Sequence, residues 1–88
     1  MNYLLSVHNN RNYTYKRIAN GINSILIKNN SILRLSYRMV QRYATGECLP
    51  KQDDIIKAIA QYVNVSEREL INNFKESKLI RGINKWAY

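Results

Sequence analysis

Long hydrogen-bonding side chains recur at a helical spacing near the middle of the sequence. Gln41 and Arg42 follow Arg38 by three and four positions, so a helix places all three on one side. A guanidinium forms two parallel hydrogen bonds with O6 and N7 of guanine, and a primary amide pairs in the same way with N6 and N7 of adenine. The chemistry that this pattern indicates is recognition of base edges rather than the making or breaking of bonds.

A short helix with an apolar inner face must hold these side chains. Ser36 can cap a helix over Tyr37–Thr45, and Gly46 follows at the position where a left-handed residue often ends a helix. The side chains expected on the inner face are apolar: Val40 and Tyr43, with Met39 or Ala44. The side chains expected to point outward are Tyr37, Arg38, Gln41 and Arg42.

Positive charge is concentrated in the first half of the chain. The 88 residues contain 14 Lys and Arg against six Asp and Glu, which gives a net charge of +8. Residues 1–46 hold seven basic residues and no acid, whereas residues 47–88 hold seven basic residues and six acids. A surface of one sign is expected where a protein meets a polyanion such as nucleic acid. The alternative is an ordinary solubilising surface in a sequence rich in Asn, Ile and Lys.

Composition argues against several other classes of protein. A hydrophobic fraction of 45% in 88 residues is typical of one small globular domain. No apolar run approaches the roughly 18 residues of a membrane span, and the first residues lack the pattern of a secretory signal. We therefore expect a cytoplasmic protein with no membrane contact.

Catalytic and metal-binding patterns are missing as well. Cys48 and His8 are each the single residue of their type, which excludes an internal disulfide and a Cys/His zinc site. The sequence has no glycine-rich phosphate loop and no nucleophile at a recognisable spacing from a base. We expect a protein that is not an enzyme, with no cofactor, metal or small-molecule substrate.

Scarce glycine and proline, together with helical apolar spacing, predict an all-α fold. We expect a first helix over residues 2–8. A second begins after the cap Thr14 and covers Tyr15–Ile22 or extends to Lys28. Beyond the central helix, helices are expected over Gln52–Val63 and from the capping box at Ser66 to about Glu76. The predicted architecture is a compact five-helix bundle.

The segment Leu35–Pro50, LSYRMVQRYATGECLP, resembles the recognition helix and following loop of the Cro/C1-type helix-turn-helix family. Residues 54–66, DIIKAIAQYVNVS, resemble the family's fourth helix and the start of its fifth, and residues 15–19, YKRIA, resemble the start of helix two. The resemblance implies a lambda-repressor-like DNA-binding domain over residues 1–76. It also implies a sequence-specific transcriptional regulator, a repressor, that contacts the major groove of double-stranded DNA.

The sequence departs from the family pattern between the two helices of the motif. Ala19 is expected to pack against the recognition helix. In the family about ten residues separate this alanine from the buried aliphatic residue of the recognition helix, whereas here Ala19 lies 21 positions before Val40. The extra residues imply longer helices, a longer turn or a different second helix. In addition, Ala44 occupies a position where members often carry an acid, and Lys51 replaces a small polar cap.

The resemblance also implies which side chains meet the bases. The family's base-contacting positions fall on Ser36, Tyr37, Arg38 and Arg42, and Gln41 lies beside them. Phosphate contacts are expected at the start of the second helix and on either side of the recognition helix, from Thr14, Tyr15, Lys16, Arg17, Thr45 and Lys51. A solvated helix surface is the alternative for the basic residues, and packing at the helix start is the alternative for Tyr37.

Residues 77–88 form a C-terminal tail with apolar residues at helical spacing, interrupted by Gly82: Leu79, Ile80, Ile83 and Trp86. The tail either packs on the domain's own core or forms a dimer interface, because members of the family commonly dimerise to bind half-sites about 34 Å apart. The expected partners are double-stranded DNA and a second copy of the chain. The alternative function is a protein-interaction module, such as an antitoxin or an anti-activator, on the same bundle.

Overall fold

Helices account for most of the chain. The computed structural model describes residues 2–86, with side chains for residues 2–79. Within this range the helices are α1 (Tyr3–Asn10), α2 (Tyr15–Lys28), α3 (Tyr37–Ala44), α4 (Asp53–Val63) and α5 (Glu67–Trp86), and no strand is present. The Cα radius of gyration is 12.6 Å, close to the value of about 12 Å expected for a folded chain of this length. The predicted all-α, compact fold is confirmed.

Side chains cap the starts of four of these helices. Thr14, Ser36 and Ser66 each accept a hydrogen bond from the backbone N–H three residues later, at 3.1, 3.2 and 3.1 Å, as predicted. Asn2 caps α1 by accepting from the N–H groups of Leu4 and Leu5. It was expected inside the first helix, which instead begins at Tyr3 and runs to Asn10. The predicted bounds of α3 and α4 are each within one residue of those observed.

Gly46 ends α3 with a left-handed backbone at φ +78°. Its N–H donates to the Tyr43 carbonyl, and the Glu47 N–H donates to the Arg42 carbonyl, which are the two bonds of a Schellman cap. The loop also approaches α5 closely, because a Cβ on Gly46 would lie 2.8 Å from the Ser77 carbonyl oxygen. The predicted C-cap is thus confirmed, and it doubles as a contact with the last helix.

The core draws on all five helices. Helix α2 packs against α3 and α4, α5 packs against α4, and α1 contacts both α2 and α3. The buried apolar side chains are Leu4, Ile18, Ala19, Ile22, Leu26, Leu35, Val40, Tyr43, Ala44, Ile55, Ile56, Ala58, Ile59, Ala60, Leu70 and Phe74. Each large aliphatic among them contributes roughly 1.5–3 kcal/mol by leaving water.

The first helix is also fastened by hydrogen bonds from residues distant in sequence. The Tyr3 N–H donates to Oδ1 of Asn73 at 3.0 Å, and the Tyr3 hydroxyl donates to Oε1 of Glu69 at 2.6 Å. Both partners lie on α5. The N-terminal end of α1 is therefore tied to the last helix by polar contacts.

The lengths of α2 and of the connection that follows it account for the wide spacing between Ala19 and Val40. Helix α2 has 14 residues, and eight residues, 29–36, join it to α3. The extra length is therefore shared between a longer second helix and a longer turn. Ala19 is buried, as expected for the small packing residue of that helix.

The last helix continues past the boundary that the sequence predicted. A helix end was expected at about Glu76, with a separate tail from residue 77, but α5 runs without interruption to Trp86. Leu79 is 66% exposed, so this apolar residue of the predicted tail does not join the core. The side chains of the other three, Ile80, Ile83 and Trp86, lie outside the described residues.

Candidate nucleic-acid interface

Helix α3 has a polar outer face and an apolar inner face. Val40, Tyr43 and Ala44 are buried, and Met39 is half-buried. The side chains on the other side are all exposed: Ser36, Tyr37, Arg38, Gln41 and Arg42. The predicted division between inward and outward residues is confirmed, with Ala44 more deeply buried than Met39. The role of the outward residues in base contact stays a prediction.

Most of the outward residues share one shallow depression. Its lining consists of Tyr37, Arg38, Gln41, Arg42, Thr45 and Glu47. The structure thus brings together four of the five predicted base-contacting residues and one predicted phosphate contact. Ser36 lies outside this lining, and its hydroxyl caps the helix. Glu47 was not predicted, and its carboxylate is the one acid in the lining.

The two arginines of this surface are positioned by neighbouring side chains. The neighbouring Tyr37 hydroxyl raises the pKa of Arg38, and the Arg38 guanidinium carbon lies 6.0 Å from the Tyr37 ring centroid. Arg42 Nη1 lies 3.9 Å from the sulfur of Met39. A guanidinium carries five N–H donors, more than these weak contacts occupy. Both side chains therefore retain the capacity for bidentate hydrogen bonds.

Asparagine side chains hold both ends of α3. At its start, Asn23 Nδ2 donates to the Leu35 carbonyl at 2.9 Å, and the Leu35 N–H donates to Asn23 Oδ1 at 2.7 Å. At its end, Nδ2 of the buried Asn2 donates to the Tyr43 carbonyl at 2.9 Å. Sequence reasoning missed both residues. The available signal was a polar side chain at the edge of an apolar stripe, since Asn23 directly follows the buried Ile22.

The predicted phosphate contacts at the start of α2 form a separate cluster with aromatic residues. Arg17 lies over the Tyr13 ring at 3.9 Å. The Tyr15 ring stacks on His8 at 4.1 Å, and burial raises the pKa of the Tyr15 phenol. The Arg17 N–H donates to the Thr14 hydroxyl. Lys16 is exposed. The cluster thus exposes two cations, Lys16 and Arg17, whereas the Tyr15 ring is stacked on His8.

The two other predicted phosphate contacts flank α3 on its C-terminal side. The Thr45 hydroxyl donates to the carbonyls of Gln41 and Arg42 at 3.0 and 3.3 Å, so its hydrogen points back to its own helix. A hydroxyl has a single hydrogen to donate, and Thr45 uses it within its own helix, whereas a phosphate oxygen requires a donor. Lys51 is exposed in the loop before α4. Of this pair, Lys51 is the better suited to contact an anion.

Comparison with known protein families, with curated proteins and with solved structures finds no match for this chain. None of the helices in the described part is long and apolar enough to cross a membrane. Within the same part, no three His, Cys, Asp or Glu side chains are grouped so that they could hold a metal ion.

Proposed function

We propose that the chain is a sequence-specific, double-stranded DNA-binding transcriptional regulator of the Cro/C1 helix-turn-helix type, and that it acts as a repressor. Helices α2 and α3 make up the motif, and α3 enters the major groove. The observation that carries this proposal is the outer face of α3, where exposed Arg38, Gln41 and Arg42 are backed by buried Val40 and Tyr43. Such a face combines donors for base edges with a rigid apolar support.

The dimensions of α3 suit this role. The helix has eight residues, and at a rise of about 1.5 Å per residue it is about 12 Å long. The major groove is about 12 Å wide. An α-helix with its side chains is about 10–12 Å in diameter, so α3 fits within that width, and its short length limits base contacts to a short half-site.

Contacts with phosphates would fix the domain on the duplex. Lys16 and Arg17 are exposed at the start of α2, and Lys51 is exposed before α4. Residues 1–46, which include α1 to α3, contain no acid, so the positive charges of these helices attract an anionic backbone. Two copies of the chain would bind two half-sites about 34 Å apart, so the proposed functional unit is a homodimer. Its proposed location is the cytoplasm.

The rival proposal is a protein-interaction module such as an antitoxin or an anti-activator. It draws on two apolar features outside α3. Leu79 is 66% exposed on α5. Near it in sequence, a groove of about 110 Å³ is lined mainly by apolar side chains: Leu49, Pro50, Ile56, Ile71, Phe74 and Lys75. A protein-interaction function based on these features would give the outer face of α3 no role. For that reason we favour DNA binding.

Selection of bound sites from random duplexes, followed by a double substitution, tests the proposal. The wild type should enrich a two-fold symmetric sequence. Arg38→Ala with Arg42→Ala should weaken binding to it at least about 30-fold, because each bidentate arginine–guanine pair contributes about 1–3 kcal/mol of discrimination. The matched control is Lys57→Ala with Arg68→Ala, which removes two exposed cations from α4 and α5 and lowers net charge equally.

The outcomes separate the two proposals. Specific binding that survives in the control and is lost in the Arg38/Arg42 variant supports major-groove recognition. Affinity that falls equally in both variants indicates a nonspecific effect of charge, and an unselective wild type contradicts the DNA proposal. The wild type should also lose affinity steeply as salt rises, with a slope of about −0.9 per phosphate contact. A slope near zero would leave the protein-interaction module as the better explanation.

A further inference from the structure

The loop between α2 and α3 carries a large apolar side chain almost entirely in water. Ile32 is 93% exposed, more than any other large apolar residue among the described side chains. Four positions later, Ser36 caps α3. Four residues span at most about 14 Å, so Ile32 lies within about one major-groove width of the end of α3 that would enter DNA.

Hydrogen bonds fix the loop on both sides of Ile32. The Ser31 hydroxyl donates to Oδ2 of Asp54 at 2.8 Å and accepts from the Leu33 N–H at 3.1 Å. Arg34 Nη1 donates to the carbonyls of Ser31 and Leu33 at 2.8 and 2.6 Å. Ile32 is thus held between two fastened neighbours, and its exposure results from a defined loop conformation.

The surroundings of Ile32 favour an anionic partner with an apolar point of contact. Arg34 lies two residues later and is exposed, and Lys28, also exposed, ends α2. One acid, Asp54, contacts the loop by accepting a hydrogen bond from the Ser31 hydroxyl. The two cations outnumber this acid. Among the groups that base pairs present in the major groove, the C5 methyl of thymine is the apolar one.

We propose that Ile32 packs against the C5 methyl group of a thymine that flanks the bases contacted by α3. This inference rests on the proposed function, and it assigns to the unusually long connection a role in specificity. The half-site recognised by one chain would then extend beyond the bases that α3 reaches. At the added position, thymine would be preferred over cytosine and the purines.

The experiment combines a substitution in the protein with one in the DNA. The full chain, its Ile32→Ala variant and the control Ile27→Ala are titrated with the selected duplex and with duplexes in which single thymines are replaced by deoxyuridine, which lacks the methyl group. Ile27 is also an exposed isoleucine, 58% accessible, on the last turn of α2. Because both residues are exposed, the two variants should retain the thermal midpoint of the wild type.

At one thymine position, deoxyuridine should weaken binding of the wild type and of Ile27→Ala about fourfold, the effect of one lost methyl contact. The same replacement should leave the affinity of Ile32→Ala unchanged. The inference is overturned if Ile32→Ala binds as tightly as wild type, or if it loses as much affinity as wild type on every deoxyuridine duplex. A wild type that selects no sequence would instead contradict the proposed function itself.

Discussion

Asn23 and Leu35 are paired by two hydrogen bonds although they lie 12 positions apart in the sequence, one on a helix and the other in a loop. The Asn23 amide both donates to and accepts from the Leu35 backbone, much as a neighbouring strand would. Because Ser36, which caps α3, directly follows Leu35, this pair sets where α3 begins relative to α2. The two bonds thus add to the direct packing of α2 against α3 across an eight-residue connection.

Replacing Asn23 should destabilise the fold more than replacing another asparagine of the same helix. Asn23→Ala removes two hydrogen bonds and leaves the partly buried Leu35 N–H and carbonyl without partners, at a cost of about 1–3 kcal/mol in the free energy of unfolding. The control Asn20→Ala, at an exposed position of α2, should change it by less than about 0.5 kcal/mol. Urea unfolding measures the stability of both variants. Equal midpoints for Asn23→Ala and Asn20→Ala would show that the hydrogen bonds between Asn23 and Leu35 do not stabilise the fold.

Glu47 should oppose binding to DNA. Its carboxylate lines the same depression as Arg38 and Arg42, where it would face the phosphates of a bound duplex. Glu47→Gln should therefore raise affinity up to about fivefold at low salt, the size of one surface charge interaction, and the gain should shrink as salt rises. Glu67→Gln at the exposed start of α5 is the control. If both substitutions raise affinity equally, the depression is not where DNA lies.

Gly46 should tolerate no side chain. Its φ of +78° costs an alanine roughly 1–2 kcal/mol, and a Cβ would meet the Ser77 carbonyl at 2.8 Å. Gly46→Ala should lower the free energy of unfolding by more than the conformational cost alone. Gly46→Asn separates the two causes, since asparagine adopts left-handed dihedrals more easily but carries the same Cβ. We expect the thermal unfolding midpoint of Gly46→Asn to lie between those of the wild type and of Gly46→Ala. A Gly46→Ala midpoint equal to that of the wild type would contradict this prediction.

The fold should lose stability in alkali through its buried phenols. Burial raises the pKa of the Tyr43 phenol, and the neighbouring Cys48 adds to the shift. The folded state therefore holds this proton more tightly than the unfolded chain does. The resulting stability is complete below the ordinary phenol value of about 10 and is lost as pH rises through the higher folded value.

Tyr43→Phe tests this dependence. The urea midpoint of the wild type should fall as pH rises above about 10, and the variant should show a shallower fall because one titrating phenol is gone. Burial also raises the pKa of Tyr62, so the variant should retain part of the dependence. Identical curves for wild type and variant would mean that the Tyr43 phenol does not couple ionisation to folding.

Local sequence was sufficient to predict α3. Its cap at Ser36, its C-terminal Gly46 and its buried Val40 and Tyr43 all follow from interactions within about ten residues, namely a side-chain cap, a left-handed residue and the 3.6-residue period. These determinants do not depend on the rest of the chain. The composition of the outer face of α3 was predictable for the same reason.

Contacts between distant segments could not be predicted in this way. The bonds from Asn23 to Leu35 and from Asn2 to Tyr43 span 12 and 41 positions, and many asparagines in the sequence could have made them. The length of α5 was missed because Gly82 suggested a break. One glycine costs a helix only about 1 kcal/mol, too little to end it.

The fastening of α1 to α5 has a consequence during synthesis. Tyr3 bonds to Asn73 and Glu69, 70 and 66 positions further along. At about 5–20 residues per second, a ribosome needs roughly 3–14 s to reach them. For that interval the hydrogen bonds from Tyr3 to α5 cannot form, and α1 is held only by its contacts with α2 and α3.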